Sequence, residues 1–192
     1  MKTKLFLAGL GLALGISLTA AQASVPGRRS ERKAQRAAQA AATARTVDSM
    51  LAVKRFLFVP TRVVTQLPGM PYVTLNTYYE VAVTPDSLVC SLPYYGYVYN
   101  TVFDPERSPF YFTAVSPSIR QEGTPSGKQK AWVVVNAREP YNRRSYILTF
   151  EVFDNATASL TIQGTGTQHL QYIGNLFPIP EGQPAAINPQ MK

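Results

Sequence analysis

After Lys54 the apolar residues recur at every second position, and that period commits most of the chain to β-strands. Phe56-Leu57-Phe58-Val59 opens the pattern, and Pro60 is expected to stop it because proline brings no N–H to a ladder. Pro68-Gly69-Met70-Pro71 has the composition of a turn. From Tyr72 to Val83 the odd positions are mainly apolar (Val73, Leu75, Tyr79, Val81, Val83), while Thr74, Asn76, Glu80 and Thr84 share the other face. That alternation predicts one long, half-exposed antiparallel strand. Pro85-Asp86 turns the chain into a return strand, Ser87 to Leu92. Further strands are predicted at Phe110 to Val115 with continuation to Arg120, at Ala131 to Ala137, Tyr146 to Phe153, Thr157 to Gln163, and His169 to Ile173. Gly123 to Gly127 and Asp154-Asn155-Ala156 supply turns between them. About seven to eight short strands behind one N-terminal helix predict a mainly β fold, an antiparallel sandwich or barrel.

Ahead of the strands the period is helical. Val47, Met50, Leu51 and Lys54 form a narrow stripe that predicts packing of Thr46 to Val53 on the sheet. Ser30 can cap the helix and Glu31 favours its dipole. Ala34 to Ala44 is rich in Ala and Gln, good helix formers with nothing large to bury. The expected organisation is a basic, exposed helical arm over 24–45, a β domain with its docking helix over 46–177, and a Pro-rich, disordered tail over 178–192.

Charge follows this division. From Ser24 to Arg55, Arg28, Arg29, Arg32, Lys33, Arg36, Arg45, Lys54 and Arg55 face only Glu31 and Asp48, a surplus of six. From Phe56 onward nine basic residues meet nine acidic ones, so the β domain is neutral. The candidate surface contact is therefore Arg28, Arg29, Arg32, Lys33 and Arg36, with an anionic lipid surface or an acidic envelope polymer as partner, or else a solvated spacer. No aromatic residue interleaves the basic run, which argues against nucleic acid.

The N-terminus reads as an export signal. Lys2 and Lys4 precede an uncharged run from Leu5 to Leu18, shorter than the roughly 20 apolar residues a spanning helix needs. Ala21-Gln22-Ala23 offers a cleavage site after Ala23, so residues 1–23 are expected to be removed and the product to be periplasmic or secreted. No Cys follows the site, so a lipoprotein is not expected. The single Cys90 lies between Leu88 and Leu92 at period two and is expected to be a buried, inert thiol.

The most unusual segment is Leu92-Pro93-Tyr94-Tyr95-Gly96-Tyr97-Val98-Tyr99. Tyrosine joins a large apolar face to a polar tip, so Tyr94, Tyr95, Tyr97 and Tyr99 can line a binding site. They can equally close the end of a barrel, with their hydroxyls bonded to backbone. Tyr79, Val81 and Val83 followed by Leu92-Pro93-Tyr94-Tyr95-Gly96 and Tyr99 resemble the domain-of-unknown-function family DUF4251. Phe153-Asp154-Asn155-Ala156-Thr157-Ala158 and Tyr172-Ile173-Gly174 resemble two further motifs of that family, as does the step Lys54 to Val59. The resemblance spans Val47 to Leu176 and implies an exported bacterial envelope protein without an assigned activity. Tyr97 stands where the family often has Arg, and Ala156 where it often has Gly.

Catalytic signals are weak. His169 is the sole histidine, and its neighbours Gln168 and Gln171 are poor metal ligands, so no metal, cofactor or Ser-His-Asp site is expected. Asn155-Ala156-Thr157 fits a glycosylation pattern, but a turn explains the same residues. The leading expectation is a non-enzymatic exported module that binds an envelope partner or a small apolar ligand. The alternative is a periplasmic hydrolase or carbohydrate-acting enzyme using Asp104, Glu106, Glu139 or Glu151, which requires two of these carboxylates to converge.

Overall fold

The computed structural model of the chain describes residues 28–65, 69, 71–97, 99, 108–122, 129–140 and 143–180. One helix, α1 (Arg28–Val53), leads into β1 (Phe56–Val64). There follow β2 (Tyr72–Thr74), β3 (Glu80–Val83), β4 (Ser87–Ser91), β5 (Tyr111–Val115) and β6 (Ser118–Glu122). The long strands β7 (Gln129–Arg138), β8 (Ser145–Phe153), β9 (Thr157–Gly164) and β10 (Leu170–Pro178) complete the chain.

All the strands belong to one antiparallel sheet in the order β5-β4-β3-β1-β10-β9-β8-β7-β6, with the short β2 beside β1. Its two edge strands, β5 and β6, are consecutive in the chain and joined only by Ser116-Pro117. Three residue steps reach about 11 Å at most, so the sheet has to curl until its edges approach. The result is a curled half-barrel, and the mainly β antiparallel class with one preceding helix is as the period predicted.

Period-two burial explains the interior. In β8 the buried positions are Tyr146, Leu148, Phe150 and Val152, and in β9 Ala158, Leu160 and Ile162. Phe150 sits edge-on to both Phe56 and Phe58 of β1, with ring centroids 5.2 and 5.8 Å apart. Cys90 is buried within this core, and burial pushes its thiol pKa well up, as expected of an inert cysteine.

Three strand assignments differ from the sequence reading. β1 runs through Pro60 because its pairing with β10 slips there: Pro60 opposes Gly174, Arg62 opposes Ile173, and Thr61 is the extra residue of a β-bulge. The predicted strand from Tyr72 to Val83 divides into β2 and β3, which pair with opposite ends of β1, at Arg62–Val64 and Phe56–Phe58. The gap falls opposite the same bulge. The run from Phe110 to Arg120 also divides, at Ser116, whose φ is +50°. These two divisions turn the expected strands into ten among the described residues. β3 is moreover buried on both faces rather than half-exposed.

The two ends of the barrel differ. At one end α1 arrives with Val47, Met50 and Leu51 buried. Lys54 follows the helix in the left-handed region (φ +54°). Lys54 N–H donates to Leu51 and Arg55 N–H to Met50, so the last carbonyls are satisfied in a Schellman motif. Lys54 Nζ reaches the Ile119 carbonyl of β6 (3.2 Å), and Lys130 Nζ of β7 lies 3.0 Å from Asp48 of α1. The other end carries the described residues between β4 and β5, namely 92–97, 99 and 108–110.

Candidate functional site

The connection leaving β4 crosses to the turn between β9 and β10. Gln168 N–H donates to the Tyr97 carbonyl (3.2 Å), Tyr97 N–H to Gln168 Oε1 (3.2 Å), and Tyr99 N–H to the Gly166 carbonyl (2.9 Å). Gly96 lets the chain fold over a ring, because a Cβ there would lie 2.8 Å from the Tyr94 phenol. The segment is thus strapped over the barrel mouth.

Three tyrosine hydroxyls fasten the strap. Tyr94 donates to the Tyr97 carbonyl (2.5 Å) and accepts from Gln168 N–H (2.9 Å). Tyr172 of β10 donates to the Pro93 carbonyl (2.6 Å), and Tyr146 of β8 to the Pro109 carbonyl (3.0 Å). Tyr146 also stacks on Phe112 with centroids 3.7 Å apart, and Tyr94 meets Phe110 edge-on at 5.0 Å. At the root of the loop, Ser108 Oγ donates to the Leu92 carbonyl (2.5 Å). Burial raises the pKa of Tyr94 and Tyr172, and pushes that of Tyr146 to about 12.

The tyrosine motif therefore splits in two. Tyr94 and Tyr95 are half-buried and pack on the core, Tyr94 with its hydroxyl already engaged. Tyr97 and Tyr99 are 57% and 73% exposed. Two tyrosines outside the motif join them. Tyr72 lies opposite Val64 at the far end of β1 and is 58% exposed; Tyr78 precedes β3 and is 43% exposed. Among the described residues these four are the exposed tyrosines: Tyr97 and Tyr99 lie on the strap, Tyr72 opens β2 at the far end of β1, and Tyr78 lies between β2 and β3. Tyr78 donates to Glu80 Oε2 (2.8 Å), and burial, then the bond and charge of Glu80, push its pKa to about 12.

Tyr72, Tyr78, Tyr146 and Tyr172 lie outside the Leu92–Tyr99 motif that the sequence singles out. For Tyr146 and Tyr172 a signal existed: both occupy inward positions of a period-two strand, where a phenol must find an acceptor.

The other expected residues scatter. Arg29, Arg32, Lys33 and Arg36 lie on the exposed first half of α1, which Arg28 opens. His169 is exposed beside β10. Glu139 pairs by its backbone with Arg144 in the β7–β8 hairpin, and Glu151 follows seven residues beyond Arg144 on β8. At the rise of a strand these two stand roughly 20 Å apart and do not converge. Asp104 and Glu106 lie outside the described residues, as do the expected signal and the tail beyond residue 180. Among the described residues no group of three His, Cys, Asp or Glu is placed to hold a metal ion. Asn155 Oδ1 accepts from both Thr157 N–H and Thr157 Oγ1, so these residues build the β8–β9 turn.

A curled antiparallel sheet closed at one end by a helix and at the other by a tyrosine strap defines the class. The chain belongs to the DUF4251 family, a domain of unknown function, whose family profile matches residues 38–176. It is similar in fold to the crystal structure of a DUF4251 family protein from Bacteroides eggerthii DSM 20697. The two share 15% identity at a TM-score of 0.52, covering 72% of this chain and 89% of that one. None of the curated proteins compared matches the chain.

Proposed function

We propose that this chain is an exported, non-enzymatic binding module of the bacterial envelope, and that it meets its partner with the tyrosine-bearing mouth. One observation carries the reading: Tyr97 and Tyr99 are exposed on the strap that the Tyr146 and Tyr172 hydroxyls fasten, and the exposed Tyr72 stands at the same end of β1. Tyrosine offers a large contact area with two side-chain torsions to fix, and a fastened loop loses little further freedom on binding. The signal-like sequence at residues 1–23 supports export to the periplasm or beyond.

The packing inside the barrel favours a surface partner over a small apolar ligand, because Phe56, Phe58 and Phe150 are fully buried against one another. The carboxylate alternative is weakened by the separation of Glu139 from Glu151.

A photo-crosslinking side chain placed at Tyr99, with a second chain carrying it at Thr161 on the outer wall, tests the reading in intact cells. The expected result is an adduct from position 99, absent from 161 and lost when Tyr97→Ala is added. Identical adducts from both positions would remove the mouth as the contact surface.

A further inference from the structure

The first half of α1 presents a second surface, unrelated to the mouth. Every residue from Arg29 to Ala42 is exposed, so this stretch, about 20 Å at the helical rise, stands clear of the barrel. Within it Arg29, Arg32, Lys33 and Arg36 follow the spacing i, i+3, i+4, i+7. At 3.6 residues per turn they share an arc of roughly 100°, and Glu31 falls on the opposite side. The remaining positions are mainly Ala and Gln.

Helix stability does not account for this arrangement. Cations weaken a helix at its N-terminus and strengthen it at its C-terminus. Here they crowd the first turns, while the last turn has none. An anion laid along that face would reverse the penalty, since the dipole and the side chains would then attract the same charge.

The geometry points to the face Arg29-Arg32-Lys33-Arg36 as a docking surface for an anionic lipid bilayer. A plane of headgroups meets four cations on one side of a straight rod without further shape matching. A protein partner would instead be expected to use large aromatic or aliphatic anchors, and this stretch holds none. Attraction to an anionic bilayer falls by about fivefold for each cation removed and decays within a Debye length.

The test is vesicle co-sedimentation of the chain purified after export, using phosphatidylcholine alone or with roughly one-third phosphatidylglycerol. Binding is expected to the anionic vesicles only, to vanish between roughly 0.05 and 0.5 M salt, and to raise the helical circular dichroism. Replacing Arg29, Arg32, Lys33 and Arg36 by Gln should lower partitioning by two to three orders of magnitude. A second variant keeps the net charge and moves two cations to the opposite face (Arg32→Ala with Ala34→Arg, and Arg36→Ala with Ala38→Arg); it should lose about 25-fold. If that variant binds like the wild type, total charge and not the face is responsible, and the inference fails. It fails equally if the chain binds neutral and anionic vesicles alike, or binds a soluble polyphosphate and neither vesicle.

Discussion

At Gly174 a single hydrogen decides whether β1 and β10 can pair. A Cβ there would lie 2.2 Å from the Val59 carbonyl oxygen and 2.7 Å from Pro60 Cα, both backbone atoms fixed by the bulge. Gly174→Ala should therefore destabilise the protein by about 3 kcal/mol, seen as an earlier urea midpoint with unchanged slope. A midpoint equal to the wild type's would mean that the two strands are not held at this distance. Ala156 poses the opposite problem. It sits at φ +62° in the β8–β9 turn, where an L side chain is strained and glycine is not. Ala156→Gly should raise stability by about 0.5 kcal/mol, the relief of strain less the entropy that glycine loses on folding. Cys90 gives a third check: with its thiol buried, it should resist a thiol reagent in native buffer and react fully in denaturant.

At the scale of elements, the period-two residues mark β7, β8, β9 and the start of β10 closely, because each has one face on the core and burial there is set by the strand's own pleat; β4 is bounded instead by the Pro85-Asp86 turn and Pro93, since both its faces are buried. Pro60 and the run from Tyr72 to Val83 depart from the period-two pattern for a shared reason. A proline stops a strand only if its missing N–H is needed, and the bulge at Thr61 removed that need while breaking the neighbouring ladder. The strap was half legible. Four tyrosines beside Pro and Gly announced a rigid aromatic loop, but Tyr146 and Tyr172 lie far along the chain from Pro93 and Pro109. Which carbonyl a buried phenol finds is fixed by closure of the barrel, which no local pattern encodes. Tyr172→Phe keeps the ring and leaves the Pro93 carbonyl without that donor, so it should cost on the order of 1–2 kcal/mol. Tyr97→Ala with Tyr99→Ala should leave the unfolding free energy from urea titration within about 0.5 kcal/mol of wild type, since both rings are largely solvated. The two variants thus separate the fastening of the strap from its outward face. Equal losses in both would contradict that division.

For the molecule as a whole, the buried phenols set an alkaline limit to folding. Tyr146 is fully buried, stacked on Phe112 and bonded to the Pro109 carbonyl, and its pKa is pushed from 10.0 to about 12 by burial first and then by the charge of Glu139. The native state holds this proton more tightly than the unfolded chain does. The corresponding stability is complete below pH 10, declines as the unfolded phenol ionises, and is exhausted once pH passes the native value near 12. Two pH units on one group correspond to at most about 3 kcal/mol, a large share of the margin of an ordinary domain. Tyr78 has the same direction of shift, but it is 43% exposed and solvent screens it, so Tyr146 is the group to test. Urea midpoints of the wild type should therefore fall steeply from pH 10 to pH 12. Tyr146→Phe should start lower at pH 7 by about 1 kcal/mol, having lost the bond to Pro109, and then decline less steeply over the same interval. Parallel declines in the two proteins would place the alkaline limit elsewhere than in the ring that ties the barrel wall to its mouth.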